Sequence, residues 1–251
     1  MITSLQNERV KLAHALQNQT KARRKEGKIA LEGARLIRDA CEQGHVPDFL
    51  FHTAKADAGL FEFLQARRYT LLPVSDEVMR HISDTEAPSG IVGVFPMPQP
   101  TLPDHPQRVL ILDSIRDPGN LGTILRTAAA AGVQAVLLSP TCVDPYNPKA
   151  LRGGMGAHFR IPVVAQNWQD IAAYAQALNI YLADGEGDVA YHDADWSRAW
   201  ALIIGSEAHG AGSEARQLAH ARITIPMEAQ SESLNAAAAA AVILFHAVHA
   251  R

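Results

Sequence analysis

Residues 223–248 read Ile-Thr-Ile-Pro-Met-Glu-Ala-Gln-Ser-Glu-Ser-Leu-Asn-Ala-Ala-Ala-Ala-Ala-Ala-Val-Ile-Leu-Phe-His-Ala-Val. Ile223 to Pro226 alternates as a short strand would. Leu234 to Val248 has no helix breaker and is rich in strong helix formers, which predicts a helix with Ser231 or Ser233 as its N-cap. That helix is apolar nearly all round, so it is expected to be buried in a core or a subunit interface. The polar cluster Glu232, Ser233 and Asn235 then falls at the helix N-terminus, where unsatisfied N–H groups and the helix dipole favour a ligand. Taken alone, the same stretch also reads as a serine-capped connection from strand to helix.

Upstream of this stretch the chain carries long apolar runs, Val109–Asp113, Ala135–Ser139, Ile161–Val164, Ile180–Ala183 and Ala201–Ile204. Helical patterns at Leu121–Ala131, Trp168–Leu178 and Ser213–Ala219 lie between most of them. Near-continuous apolar strands separated by helices predict a parallel sheet covered on both faces. In such sheets ligands bind beyond the carboxyl ends of the strands. Residues 1–95 alternate shorter strands and helices and are expected to form a small α/β domain of their own. Five prolines in residues 96–106 predict a semi-rigid linker, leaving 107–251 as the second domain.

The 251 residues are 47% hydrophobic, enough for a sizeable core. The longest apolar run, Ala236 to Phe245, is too short to cross a bilayer, and no apolar stretch follows the N-terminal charges as in a secretory leader. A soluble, cytoplasmic protein without membrane association is expected. Cys41 and Cys142 form no CxxC pair, so neither a disulfide framework nor a metal site is expected, and both read as inert core thiols.

The net charge of −3 is unevenly spread. Residues 1–28 carry Arg9, Lys11, Lys21, Arg23, Arg24, Lys25 and Lys28 against Glu8 and Glu26, a net +5 that leaves −8 elsewhere. A local basic footprint on a mildly acidic body suits a nucleic acid, although a solvated helix face gives the same pattern.

Three loops at predicted strand ends hold the unusual residues. Asp113 to Arg126 places Asn120 near a helix start and Arg126 six residues on, too far round the helix to be its direct neighbour; a shared ligand would join them. Ile204 to Ser213 carries Gly205, Gly210 and Gly212, which allow close backbone approach, but neither GxGxxG nor GK[ST]. Glu207 in that loop suits a cationic or hydroxyl-bearing ligand better than a phosphate, and His209 could be proposed as a base. In the third loop, the opening stretch, the backbone at Ile225 and Met227, with Leu234 closing the other side, could hold a planar group such as adenine.

Taken together, N-x-G-x-x-x-R, G-S-E-x-x-G and I-P-M-x-x-x-x-E-S-L-N occur in this order. They resemble the three motifs of the SpoU (TrmH-like) RNA ribose 2′-O-methyltransferases of the SPOUT superfamily. Gly132, Gly156 and Arg160-Ile-Pro162 extend the match over residues 108–251. Residues 1–95, through Leu31-Glu-Gly-Ala-Arg-Leu36, are similar to the L30e-like RNA-binding extension of that family. Ala208 and Ala229 stand where glycine is frequent, and Gly154 where many members have serine. Leu151 to Arg160 is most similar to the branch that modifies large-subunit ribosomal RNA, while transfer RNA is also used in the family.

The resemblance implies an α/β fold with a trefoil-knotted C-terminal domain, an exception to the rule that chains do not knot. It also implies a homodimer with its active site at the subunit interface. S-adenosylmethionine would be held by Gly205, Gly210, Ile225, Met227 and Leu234. Arg126, Asn120, Glu207, Ser233 and Asn235 would surround the ribose and its phosphate. Family members often assign proton removal to the arginine; a guanidinium stays protonated, so an electrostatic clamp at Arg126 is the preferred reading. Arg9, Lys11, Lys21, Arg23, Arg24, Lys25 and Arg35 would track RNA phosphates, with Arg38 beside them. Two rivals fit less well. A non-catalytic RNA-binding protein need not keep Arg126 and Asn235, and a dinucleotide oxidoreductase needs a glycine fingerprint that does not follow Asp113.

Overall fold

A computed structural model describes residues 1–206, 210–228 and 234–250. Glu207, His209, Ser231, Glu232 and Ser233 lie outside the described residues. The chain divides into two compact units, residues 1–99 with 146–159, and residues 100–145 with 160–251.

In the first unit the order is α1 (Glu8–Asn18), α2 (Thr20–Glu26), β1 (Lys28–Glu32), α3 (Ala34–Glu42), β2 (Phe49–His52), α4 (Ala58–Ala66), β3 (Leu71–Pro73), α5 (Asp76–Ile82) and β4 (Ile91–Pro96). The sheet order β1-β4-β2-β3 is mixed, with β4 antiparallel to both neighbours and β2 parallel to β3. Alternation of side chains along each strand builds two cores. Ile29, Leu31, Leu50, Ile91 and Phe95 pack with Leu36, Ile37, Leu60 and Leu64 of α3 and α4. Ala30, Phe49, Phe51, Val92 and Val94 pack with Val10, Leu16, Val78 and Ile82 of α1 and α5.

The basic run expected to be a charged surface is itself a helix, α2, ended by Gly27 in the left-handed region at φ 60°. Its arginine at 23 points inward. Arg23 is 2% exposed and donates to the Leu16 and Gln17 carbonyls and to Thr20 Oγ1, tying off the α1 C-terminus. Five-donor geometry suits Arg to that role, and a side chain so placed is not available to a phosphate. A short helix, α6 (Pro148–Gly154), and a 3-10 turn at Ala157–Phe159 also belong to this unit, with Tyr146, Leu151 and Phe159 in its core. The proline-rich stretch is hydrogen-bonded near both ends. Met97 N donates to Gly27 O at 2.8 Å, while Pro103 O accepts from Tyr174 Oη at 2.8 Å in the other unit's own packing.

The second unit contains β5 (Arg108–Leu112), α7 (Pro118–Ala130), β6 (Ala135–Leu138), β7 (Val163–Ala165), α8 (Trp168–Ala175), β8 (Asn179–Ala183), β9 (Val189–Ala190), β10 (Trp200–Ile204), α9 (Ser213–Leu218), β11 (Ala221–Thr224) and α10 (Ala236–His249). The sheet order is β7-β6-β5-β10-β8-β11-β9, and every described pairing in it is parallel. Val109, Ile111, Leu137, Leu182 and Ile203 pack on Ile171, Ala175 and Ala215 of α8 and α9. Their neighbours Leu110, Leu112, Val136, Leu202 and Ile204 are buried as well, as a sheet covered on both faces requires.

The C-terminal helix differs from expectation at its start. Asn235 is the N-cap, its Oδ1 accepting from Ala237 N at 2.9 Å and Ala238 N at 3.3 Å. Within one chain the helix buries one face. Ala240, Ile243, Leu244 and Ala247 face inward, and α10 packs against α7, while Val242 and Phe245 stand 39% and 44% exposed. No described helix is long and apolar enough to cross a membrane.

Candidate active site

Three neighbouring parallel strands, β10, β8 and β11, end at one cavity of ≈ 530 Å³, within the range of small-molecule sites. The β8 exit contributes Ala183, Asp184 and Gly185. The β10 exit contributes Gly205, Ser206, Gly210 and Ala211. Ile225, Pro226 and Met227 follow β11, and Leu234, Ala236, Ala239 and Ile243 close the far wall. Gly205, Gly210, Ile225, Met227 and Leu234, separated by up to 29 positions in the chain, are thus brought to one place.

At the β10 exit Ser206 and Gly210 pair as an antiparallel bridge. Ser206 N donates to Gly210 O at 3.0 Å and Gly210 N to Ser206 O at 2.9 Å, with Gly210 at φ 65°. A Cβ at Gly205 would lie 2.5 Å from Ala211 N and 2.6 Å from the Gly210 carbonyl carbon, so only glycine lets the two limbs approach.

Two carboxylates that sequence reasoning passed over hold this bridged segment. Asp113 is 3% exposed; its Oδ2 accepts from Gly212 N at 2.7 Å, and its Oδ1 from Ser139 Oγ at 3.0 Å and Ser114 Oγ at 3.1 Å. Ser114 has φ 58°, a sparsely populated conformation for a residue with a side chain. Asp184 is the only charged residue among the described cavity walls. It accepts from Arg216 Nη1 at 2.7 Å and from Glu186 N at 3.1 Å, and Arg216 Nε reaches Ala211 O at 3.2 Å. A strand-final aspartate before a loop was the available signal for both.

On the other side of α10's cap, Asn235 Nδ2 donates to Asn120 Oδ1 at 3.3 Å. Asn120 lies in the first turn of α7, where Asp117 accepts from its N–H at 2.8 Å. Arg126, on the same helix, is exposed to solvent. The predicted Asn120, Arg126 and Asn235 therefore sit on two packed helices whose junction adjoins the cavity; Glu207 and Ser233 lie outside the described residues. Cys142 lies nearby with its Sγ on the Leu112 carbonyl at 3.2 Å, and burial pushes its thiol pKa up. Among the described residues no group of three or more metal-ligating side chains occurs.

A parallel sheet with a glycine-lined cavity at its carboxyl edge, next to paired asparagines at a helix junction, has the form of a small-molecule cofactor site. The walls fit S-adenosylmethionine: apolar side chains from Ile204, Ile225, Leu234 and Ile243 suit the purine, and exposed backbone of the bridged segment and Asp184 suit its polar groups. Residues 107–245 match the SpoU rRNA methylase family, and residues 7–93 match the MRM3-like substrate-binding domain. The chain belongs to the SpoU rRNA methylase family and is an S-adenosylmethionine-dependent RNA methyltransferase. It is 36% identical to mouse mitochondrial rRNA methyltransferase 3 over 282 residues, covering 89% of this chain and 68% of that one. It is 32% identical to the Bacillus subtilis 23S rRNA (guanosine(2553)-2′-O)-methyltransferase RlmP, with 98% of each chain covered. The SpoU methyltransferase AviRb of Streptomyces viridochromogenes, solved with AdoMet, superposes with a TM-score of 0.90 at 27% identity, covering 97% of each chain.

Proposed function

We propose that this enzyme methylates a ribose 2′-oxygen in large-subunit ribosomal RNA, with Asn120, Arg126 and Asn235 around the target ribose. The observation that carries the reading is the Asn235–Asn120 hydrogen bond of 3.3 Å, which joins the cap of the cavity-lining helix to the helix bearing Arg126. S-adenosylmethionine supplies an electrophilic methyl group on a sulfonium that leaves readily. What the chain must add is alignment of the ribose and management of its 2′-OH proton. Arg126 clamps the adjacent phosphate and stabilises negative charge as it develops on the 2′-oxygen, a task suited to a cation that does not titrate. The asparagine pair fixes the ribose edge by hydrogen bonds, each amide presenting both a donor and an acceptor. Glu207 and Ser233 complete the ribose side by the family's pattern.

The catalytic unit works as a knotted homodimer in this reading. Support comes from the exposed Val242 and Phe245, which with Ala238 and His249 form a stripe at helical spacing that a second subunit would cover. Residues 1–95 hold the RNA in this reading, and the match of residues 7–93 to the MRM3-like substrate-binding domain supports it. The test is incubation with labelled S-adenosylmethionine and ribosomal RNA followed by nuclease digestion. Label in a 2′-O-methyl nucleoside is expected, and its absence from every RNA tried would overturn the assignment.

A further inference from the structure

We infer that the RNA-recognition surface of the first unit is an arginine–phenylalanine platform on α3 and α4, Arg38–Phe63–Arg67 with Arg35 and Arg68 at its margins, that stacks unpaired RNA bases. The guanidinium carbon of Arg38 lies 4.5 Å from the Phe63 ring centroid and that of Arg67 lies 3.6 Å from it. Phe63 is half-buried against the α3/α4 core, so its ring is fixed from beneath. Arg67 also donates to the Phe63 carbonyl at 3.5 Å, at the negative end of the α4 dipole, which holds its plane against the ring.

Ion pairing and burial reduce the free charge of the basic N-terminal run to Arg9, Lys21 and Arg24. Lys11 pairs with Glu8, Lys25 with Glu26 and Lys28 with Asp48, and Arg23 is buried. Arg35, Arg38, Arg67 and Arg68 form no ion pair among the described residues, and Asp57 at the start of α4 accepts through Oδ1 from the Leu60 N–H. Arg35 and Arg38 on α3 and Arg67 and Arg68 just past the end of α4 offer four guanidiniums to a polyanion. Planar cations set against an aromatic ring present π-faces to bases and N–H edges to phosphates, the combination that recognises single-stranded RNA.

This inference rests on the RNA methyltransferase reading, and its test keeps the two apart. Full-length protein is titrated with a fluorescent unstructured 12-mer of adenosine and with a 12-base-pair RNA duplex. Arg38→Lys/Arg67→Lys, which keeps the charge and removes the planes, should weaken single-strand binding by about tenfold while duplex binding changes less than about twofold. Phe63→Leu, which keeps the apolar packing, should do the same. Wild-type single-strand affinity in both variants would overturn the platform, as would equal loss on both RNAs, which would signify charge alone. Calorimetry with S-adenosylmethionine reads the other question, since unchanged cofactor affinity in the variants leaves the methyltransferase reading intact whichever way the platform falls.

Discussion

Asp113 and Gly212, 99 positions apart, are joined by a 2.7 Å hydrogen bond from the glycine N–H to a carboxylate that is almost wholly buried. The bond fixes the segment after the Ser206–Gly210 bridge to the start of the loop that leads into the Arg126 helix. Asp113→Ala removes the acceptor for Gly212 N, Ser139 Oγ and Ser114 Oγ together. The expected cost is about 1–3 kcal/mol of stability and about a tenfold loss in S-adenosylmethionine affinity, read by thermal unfolding and calorimetry. Asp113→Asn, whose amide can still offer an oxygen to Gly212, should recover most of both.

Gly205→Ala tests the bridged segment from inside. Its methyl would start 2.5 Å from Ala211 N, backbone that has no flexible end to move. The limbs must part, with an expected cost of about 1–3 kcal/mol and cofactor binding weakened by at least the same tenfold. Unaltered calorimetric affinity would show that the cofactor does not depend on this approach.

Arg126 is exposed on the helix that carries Asn120, and the proposed function gives it the phosphate clamp. Arg126→Ala should lower kcat by about 10²-fold or more, with cofactor affinity within about twofold of wild type. Arg126→Lys should stay impaired at every pH, because the planar fork is what the phosphate needs. Recovery of the lysine variant on a rising alkaline limb would assign proton removal to this position instead.

Much of the fold was legible because apolar runs and caps speak locally. The parallel strands from Val109 to Ile204 are buried on both faces and therefore read as continuous hydrophobic stretches. Asp76–Ile82 announces its helix through Ser75, which accepts from Val78 N. What depends on distant partners was not legible. Arg23 in a basic run looks like surface, and acceptors at Leu16, Gln17 and Thr20 turn it inward. Asp113 and Asp184 look like ordinary loop acids until Gly212 and Arg216, far along the chain, arrive beside them. Residues 146–159 lie between the first two motifs in sequence yet pack with the first unit, because Leu151 and Tyr146 complete its core.

The outer stripe of α10 bears on the proposed dimer. Each large apolar side chain withdrawn from water contributes about 1.5–3 kcal/mol, so covering Val242 and Phe245 would add materially to association. Val242→Glu/Phe245→Glu should halve the sedimenting mass and reduce methylation, while leaving the inward Ile243 and Leu244 packing and the far-ultraviolet spectrum intact. A wild-type protein that sediments as a monomer at micromolar concentration would rule the dimer out.

A pH dependence follows from the histidines of the first unit. His14 and His81 stack at 4.1 Å with 7° between their planes, and His14 Nδ1 lies 2.8 Å from the His81 carbonyl oxygen. Burial first, and then the neighbouring His14, lowers the His81 pKa; burial likewise lowers those of His52 and His45. Since each folded-state value lies below the ordinary 6.5, the unfolded chain takes up protons that the fold resists. Stability is therefore fully present above pH 6.5 and is lost as the pH falls from there through the folded values. The melting temperature should drop between pH 7.5 and pH 5.5, and His81→Phe, which keeps a stacked ring without a titrating nitrogen, should drop less. Proton NMR titration of the ring signals checks the cause directly: a His81 midpoint at or above 6.5 would remove the basis for the effect.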